Sequence, residues 1–289
     1  MFPVVSAAFN RLGIRRTMSP PNDDSQSNED KQETTSPQEP RYPAIYDVLK
    51  VRFMLRWKLV PEGLPVEIVD MIMDAAEYWA SAEVRMEGRR VIHQDGDEVL
   101  VRTLPLCYDP KTIGTPLPKQ LPHRTIHPCR KIVFSIFSHD QGGGRRPRPY
   151  EGSNTWFDTE VVHSAHLPDH AVETQGVPPR GPDGLRLRSG HPLLNPGPHK
   201  LQSNGSNPTA AQQQTNQHVI TWHYLDNIPA DSPKAEDIQR TQGRGRATLD
   251  GSQVRSLELG DSISVWGRAR YMGWHNVVKE LTVRVFWAI

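Results

Sequence analysis

What this 289-residue chain lacks narrows it first. It has two cysteines, Cys107 and Cys129. That number excludes a disulfide scaffold and fits a reducing compartment, with a single bridge between them as the alternative. The 34 basic and 33 acidic residues nearly cancel, to a net charge of +1. No global positive field is therefore present to hold nucleic acid. No apolar run approaches the roughly 18 residues that a membrane-spanning helix needs. No secretory signal pattern opens the chain, because Met1–Ala8 gives way to polar and basic residues. Also missing are a phosphate-binding GxxxxGK[ST] loop, an HExxH or CxxC metal motif and a GxSxG nucleophile elbow. Without a paired nucleophile, base or metal set, neither enzyme activity nor a cofactor is expected.

What is present is unevenly spread. Hydrophobic residues make up 36% of the chain, with 26 prolines and 21 glycines. Met18–Pro40 carries six acids, one lysine and four prolines, with no aliphatic or aromatic residue beyond Met18. Such a segment cannot bury enough apolar surface to offset chain entropy, so residues 1–40 are read as a disordered tail and linker. Within that tail, Arg11, Arg15 and Arg16 accompany apolar residues able to form one helical face. This allows a mitochondrial transit peptide as the alternative to a cytoplasmic or nuclear location.

Order is expected from Tyr42, with a helical segment over 41–90. Val66, Val69, Ile72, Met73, Ala76 and Trp79 or Ala80 fall at steps of three and four, one face of a helix. Pro65 suits the first turn, and Glu67 and Asp70 the positive helix start. After Arg90 the period changes to two. Short β-branched and aromatic runs recur around Val99, Ile132, Trp156, Val219, Ile263 and Val283, separated by Gly, Pro and Asp. They predict a mainly β fold, an antiparallel jelly-roll-like sandwich over 91–289. The Pro-, Gly-, Asn- and Gln-rich stretch of about 175–217 reads as a disordered insertion between strands, and Ala230–Arg246 as a second polar stretch. From Gln253 to Ile289, SISVWGRARY and VVKELTVRVFW read as the two strands of a closing hairpin that meet at Gly273.

Candidate binding residues lie on that closing stretch. In a strand, Trp266, Arg268 and Arg270 share a face, and Trp274 follows in the turn. Aromatic rings beside guanidiniums stack on sugars or on a partner's aromatic and acidic groups. The plainer alternative makes Trp266 core and the arginines supports for a neighbouring loop. His139 and Asp140 end a strand ahead of Gly142–Gly144 and Arg145, Arg146 and Arg148. They suit either a polar rim site or ordinary turn chemistry, in which Asp140 bonds the turn backbone. The 12 histidines invite a metal reading, but His123/His127 and His163/His166/His170 sit among prolines with no matching ligand pattern. No metal is expected.

Three passages together resemble known sequences. LPVEIVDMIMDAAEYW resembles the opening of a fungal F-box. FSHDQGGG with YEGSNTWFD, and RSLELGDSISVWGRARYMGWHNVVKELTVRVFW, resemble segments of a family of uncharacterised filamentous-fungal proteins with a β-sandwich behind such a helix. The likeness runs over roughly Leu64–Ile289, insertion excluded. It implies docking of a Skp1-type adaptor of a ubiquitin ligase, with Leu64, Pro65, Ile68, Val69 and Ile72 as the adaptor-facing positions. The sequence departs from the pattern where strand-like VIHQDGDEVLVRTL replaces the later helices of the box, and where Gly143 follows DQG in place of an aromatic. The resulting expectation is an intracellular protein-binding module without catalytic activity. A lectin-like sandwich is the alternative.

Overall fold

The chain is described here from a computed structural model, over residues 42–140, 150, 154–167, 193, 216–270 and 273–289. The expected linker 1–40, the turn Gly142–Gly144 with Arg145, Arg146 and Arg148, His170 and nearly all of the 175–217 insertion lie outside the described residues.

Two helices lead. Helix α1 spans Ile45–Lys58 and α2 spans Val66–Ala75. Eight strands follow among the described residues: β1 Ala80–Arg85, β2 Arg90–His93, β3 Glu98–Arg102, β4 Cys129–Asp140, β5 Thr155–Val162, β6 Asn216–His223, β7 Ser262–Ala269 and β8 His275–Trp287. Between β6 and β7 lie helix α3, Pro233–Gln242, and the single turn α4, Ser252–Arg255. All strand pairing is antiparallel. One sheet runs β1-β8-β4-β6 with β2 also on β8; the other runs β3-β7-β5.

The two sheets share one apolar core. Ile132, Phe134 and Ile136 of β4 meet Phe157 of β5 and Ile263 and Val265 of β7 within it, as the period-two alternation of each strand requires. The sheets approach closely at Gly267, where a Cβ would come 2.9 Å from Ile92 Cδ1 and 3.0 Å from Leu100 Cδ1. The fold class read from sequence thus holds: mainly β, antiparallel, with few helices.

Four boundaries differ from expectation. The helical stripe extrapolated to Trp79 or Ala80 stops at Ala75, and the sheet begins at Ala80, eleven residues before the predicted onset at 91. Ala80–Arg85 lacks large alternating side chains, and what makes it a strand is pairing along β8 from Ala80↔Trp287 to Arg85↔Thr282. Gln253 lies in α4, not in a strand. The closing strands do not form a hairpin: β7 joins the three-stranded sheet and β8 the other. Both edges of β8 are already taken, by β1 and β2 on one side and β4 on the other, so no edge is left for β7. Finally, Ala230–Arg246 contains α3, which its polar composition hid. Its ends carry the signal: Ser232 accepts from the Ala235 N–H at 3.2 Å, Pro233 opens the first turn, and Gly243 closes the helix at φ 72°.

Candidate functional site

Strand alternation places Trp156, Asp158 and Glu160 of β5 and Trp266 and Arg268 of β7 on the side of the three-stranded sheet away from the core, with Trp156↔Arg268 and Asp158↔Trp266 in register. Arg268, only 2% exposed, lies between two carboxylates: its Nε faces Asp158, and its Nη1 donates to Asp97 in the β2–β3 turn. Arg270 grips Asp97 with two nitrogens, at 2.6 and 2.9 Å, and lies 3.7 Å from Asp95. Each guanidinium also rests on an indole, Arg268 at 5.3 Å from the Trp266 centroid and Arg270 at 5.4 Å from Trp156. The indole N–H groups donate to Asp158 and Glu160.

The two carboxylates respond oppositely. Burial alone would raise Asp97, but the Arg270 hydrogen bonds and the fields of both arginines outweigh it and hold the group below its ordinary range. Asp158 is 4% exposed, and burial raises it despite Arg268 and the Trp156 indole. One of its oxygens, Oδ1, has no hydrogen-bond partner among the described residues, which leaves part of its desolvation uncompensated there.

Arg268 and Arg270 are therefore brought together, as predicted, but onto Asp97. Their donors tie the β2–β3 turn to the sheet. The loop-support half of the alternative describes this arrangement, with a carboxylate as the chief acceptor and one backbone carbonyl, Ala269, added by Arg270; its other half does not hold, since Trp266 is half-buried on the outer face and not in the core. Trp274 sits half-buried in the turn before β8. Asp95, Asp97 and Asp158 were missed. The one legible signal was the outward face shared by Trp156, Asp158 and Glu160, whose match to Trp266 and Arg268 needs the strand register.

His139 and Asp140 are both buried at the end of β4, against Val277 and Asn276 of β8. The Nδ1 of His139 lies 3.1 Å from the Asp140 carbonyl. Beside Asp140, Asn276 reaches across to the Trp156 carbonyl at 3.4 Å. On β6, His218 is pushed down to about 4 by burial, so its ring is neutral near pH 7, with the Tyr150 hydroxyl 3.3 Å from Nδ1. Among the described residues, Ser138 Oγ, His218 Nε2 and Asn276 Oδ1 have no hydrogen-bond partner.

The predicted docking set on α2 divides. Ile68 and Ile72 face solvent, Pro65 is exposed at the helix start, and Leu64 is half-buried. Val69 instead enters the core together with Met73 and Val48 of α1, which removes it from any outward face. Ion pairs fix α2 further: Arg52 meets Asp70, and Arg124 reaches Asp70 at 3.3 Å and Asp74 at 2.6 Å. Trp79 donates to Asp74 at 2.9 Å.

Elsewhere, a small apolar pocket lies between β1, β8 and Thr103–Tyr108, lined by Ala82, Val84, Leu106, Val283 and Val285 among others. Both cysteines are free and buried, and burial raises both thiols, that of Cys129 to about 12. Among the described residues no group of three or more His, Cys, Asp or Glu is placed to hold a metal ion, and no helix is long and apolar enough to cross a membrane. No known family model, no curated protein and no solved structure matches this chain.

Proposed function

We propose that this chain is a protein-binding module without catalytic activity, in which a β-sandwich presents a helical face to a protein partner. The observation that carries this reading is the outward side of α2. Ile68, Met71 and Ile72 are 41, 66 and 39% exposed, while Val69 and Met73 on the opposite side hold the helix to the core. Single apolar side chains are normal on a surface, whereas several on one helix face mark an interaction site.

The Leu64-Pro65 start of α2 favours a Skp1-type adaptor as the partner. An adaptor would meet Pro65, Val66, Ile68, Met71, Ile72 and part of Leu64 but no later helix of a full box, because the chain enters β1 four residues after α2's cap at Ala76. The lectin-like alternative gains less support, since the rings of Trp156 and Trp266 already lie against guanidiniums. Pull-down of purified Skp1 with the full chain, and with its Ile68→Asp/Ile72→Asp variant, tests the reading. Retention by the wild type and at least a tenfold loss in the variant are expected. No retention removes the adaptor, and equal retention removes the α2 face.

A further inference from the structure

Helix α1 is apolar on two opposite sides. Toward the sandwich, Val48 is buried and Ile45, Val51 and Leu55 pack on the core. A helix that only covers a sheet needs no more than this one stripe. Yet Tyr46, Leu49, Phe53 and Trp57 follow one another at steps of three, four and four on the other side, with exposures of 37 to 74%. They form a straight apolar seam about 16 Å long at 1.5 Å per residue. Its spacing is that of helices paired side by side.

The seam has a sign and an anchor. Lys50 and Lys58 border it on one edge and Arg56 on the other, while Arg52 is already paired with Asp70. The helix holds one acid, Asp47, which is bonded to the Ala44 N–H at 3.1 Å. Trp57 is held in place although half-exposed: the Arg56 guanidinium lies 4.8 Å from its ring centroid. Gly63 backs it closely enough that a Cβ would come 3.2 Å from the Trp57 Cε3 atom. An aromatic side chain fixed before binding loses little freedom when covered, as binding hot spots do.

Charge decides the occupant. A second copy would set Lys50, Lys58 and Arg56 against like charges. Of this chain's own segments, Met18–Pro40 is acidic but has no apolar residue beyond Met18. Phe2–Leu12 is largely apolar but contains Arg11 and runs on into Arg15 and Arg16. We infer that α1 is a docking seam for an amphipathic helix of another protein, one whose apolar stripe is flanked by Asp and Glu. This rests on α1 and goes beyond the α2 reading above.

A labelled 21-residue peptide with Leu at seam positions and Glu on both flanks is titrated with the full chain by fluorescence anisotropy, beside a twin with Lys on the flanks. Saturable binding is expected for the Glu peptide, with at least tenfold weaker binding of the twin and a further loss between 50 and 500 mM salt, over which the Debye length shrinks about threefold. Phe53→Asp should weaken binding at least tenfold. Lys50→Glu/Lys58→Glu, two exposed changes that leave the core untouched, should narrow or reverse the preference for the Glu peptide. Ile68→Asp/Ile72→Asp should leave it unchanged, which separates this seam from the adaptor question. Equal binding of the two peptides, binding indifferent to Phe53→Asp, or no binding overturns the inference. Tighter uptake on phosphatidylcholine–phosphatidylserine vesicles than on the Glu peptide overturns it in favour of a membrane surface.

Discussion

Replacing Arg268 by methionine removes a guanidinium from between two carboxylates while keeping most of the apolar stem. Asp97 would retain Arg270. Among the described residues nothing would rescue Asp158: it is 4% exposed, its Oδ1 already has no partner there, and its remaining bond would be the Trp156 indole. Leaving one charge of a buried pair unmatched costs about 3–5 kcal/mol. With a urea slope of about 2 kcal/mol per molar for a domain of this size, the unfolding midpoint should fall by roughly 1.5–2.5 M. Adding Asp158→Leu removes the stranded charge, so the double variant should regain about half or more of the loss, since apolar replacement of a buried pair is often near neutral. Equilibrium urea unfolding followed by tryptophan fluorescence and far-ultraviolet circular dichroism measures both. A midpoint shift under about 0.5 M for Arg268→Met, or a double variant less stable than the single, would refute the assignment of Arg268 as the counter-ion that makes Asp158 tolerable.

Other outcomes follow from the same structure. The folded-state carboxyl of Asp97 is depressed, so its contribution is present above the unfolded value of about 4 and is lost as pH falls through the folded value; Asp97→Asn should be destabilised at pH 7 and flatten the acid limb of a stability–pH curve. Asp158 is raised and acts with the opposite sign, gaining stability as pH falls through its folded value toward the unfolded one, so Asp158→Asn should steepen that limb. Both thiols are buried and raised; Ellman's reagent at pH 8 should label neither in the folded chain within minutes and two per chain in guanidinium. Ser232→Ala removes the bond that caps α3 and should cost about 1 kcal/mol by urea unfolding, with Ser232→Asp restoring it.

The parts of the fold legible in sequence are those where local pattern and burial agree. Ile132, Phe134 and Ile136 alternate cleanly because β4 has one face in the core, and period two survives any details of pairing. β1 was hidden for a specific reason: Trp79 and Ala80 continue the three-and-four spacing of α2 in phase, so one period concealed the boundary of another. The site was half legible. Trp266, Arg268 and Arg270 lie within five residues and share a face by local geometry. Their acceptors stand more than a hundred positions away in the chain, and only the β3-β7-β5 order brings them near. Val69 shows the same limit on α2, since a helical stripe tells which residues share a side but not which side meets the sandwich.

The central place of β8 bears on how the chain is made. β1, β2 and β4 all pair with it, yet it begins roughly 135 residues after β4 ends. At ribosomal rates of about 5–20 residues per second, those strands wait on the order of ten seconds for their shared neighbour, with ladder edges open. The nascent protein therefore carries its aggregation risk in a defined window of translation, and whatever shields it then must release three strands together.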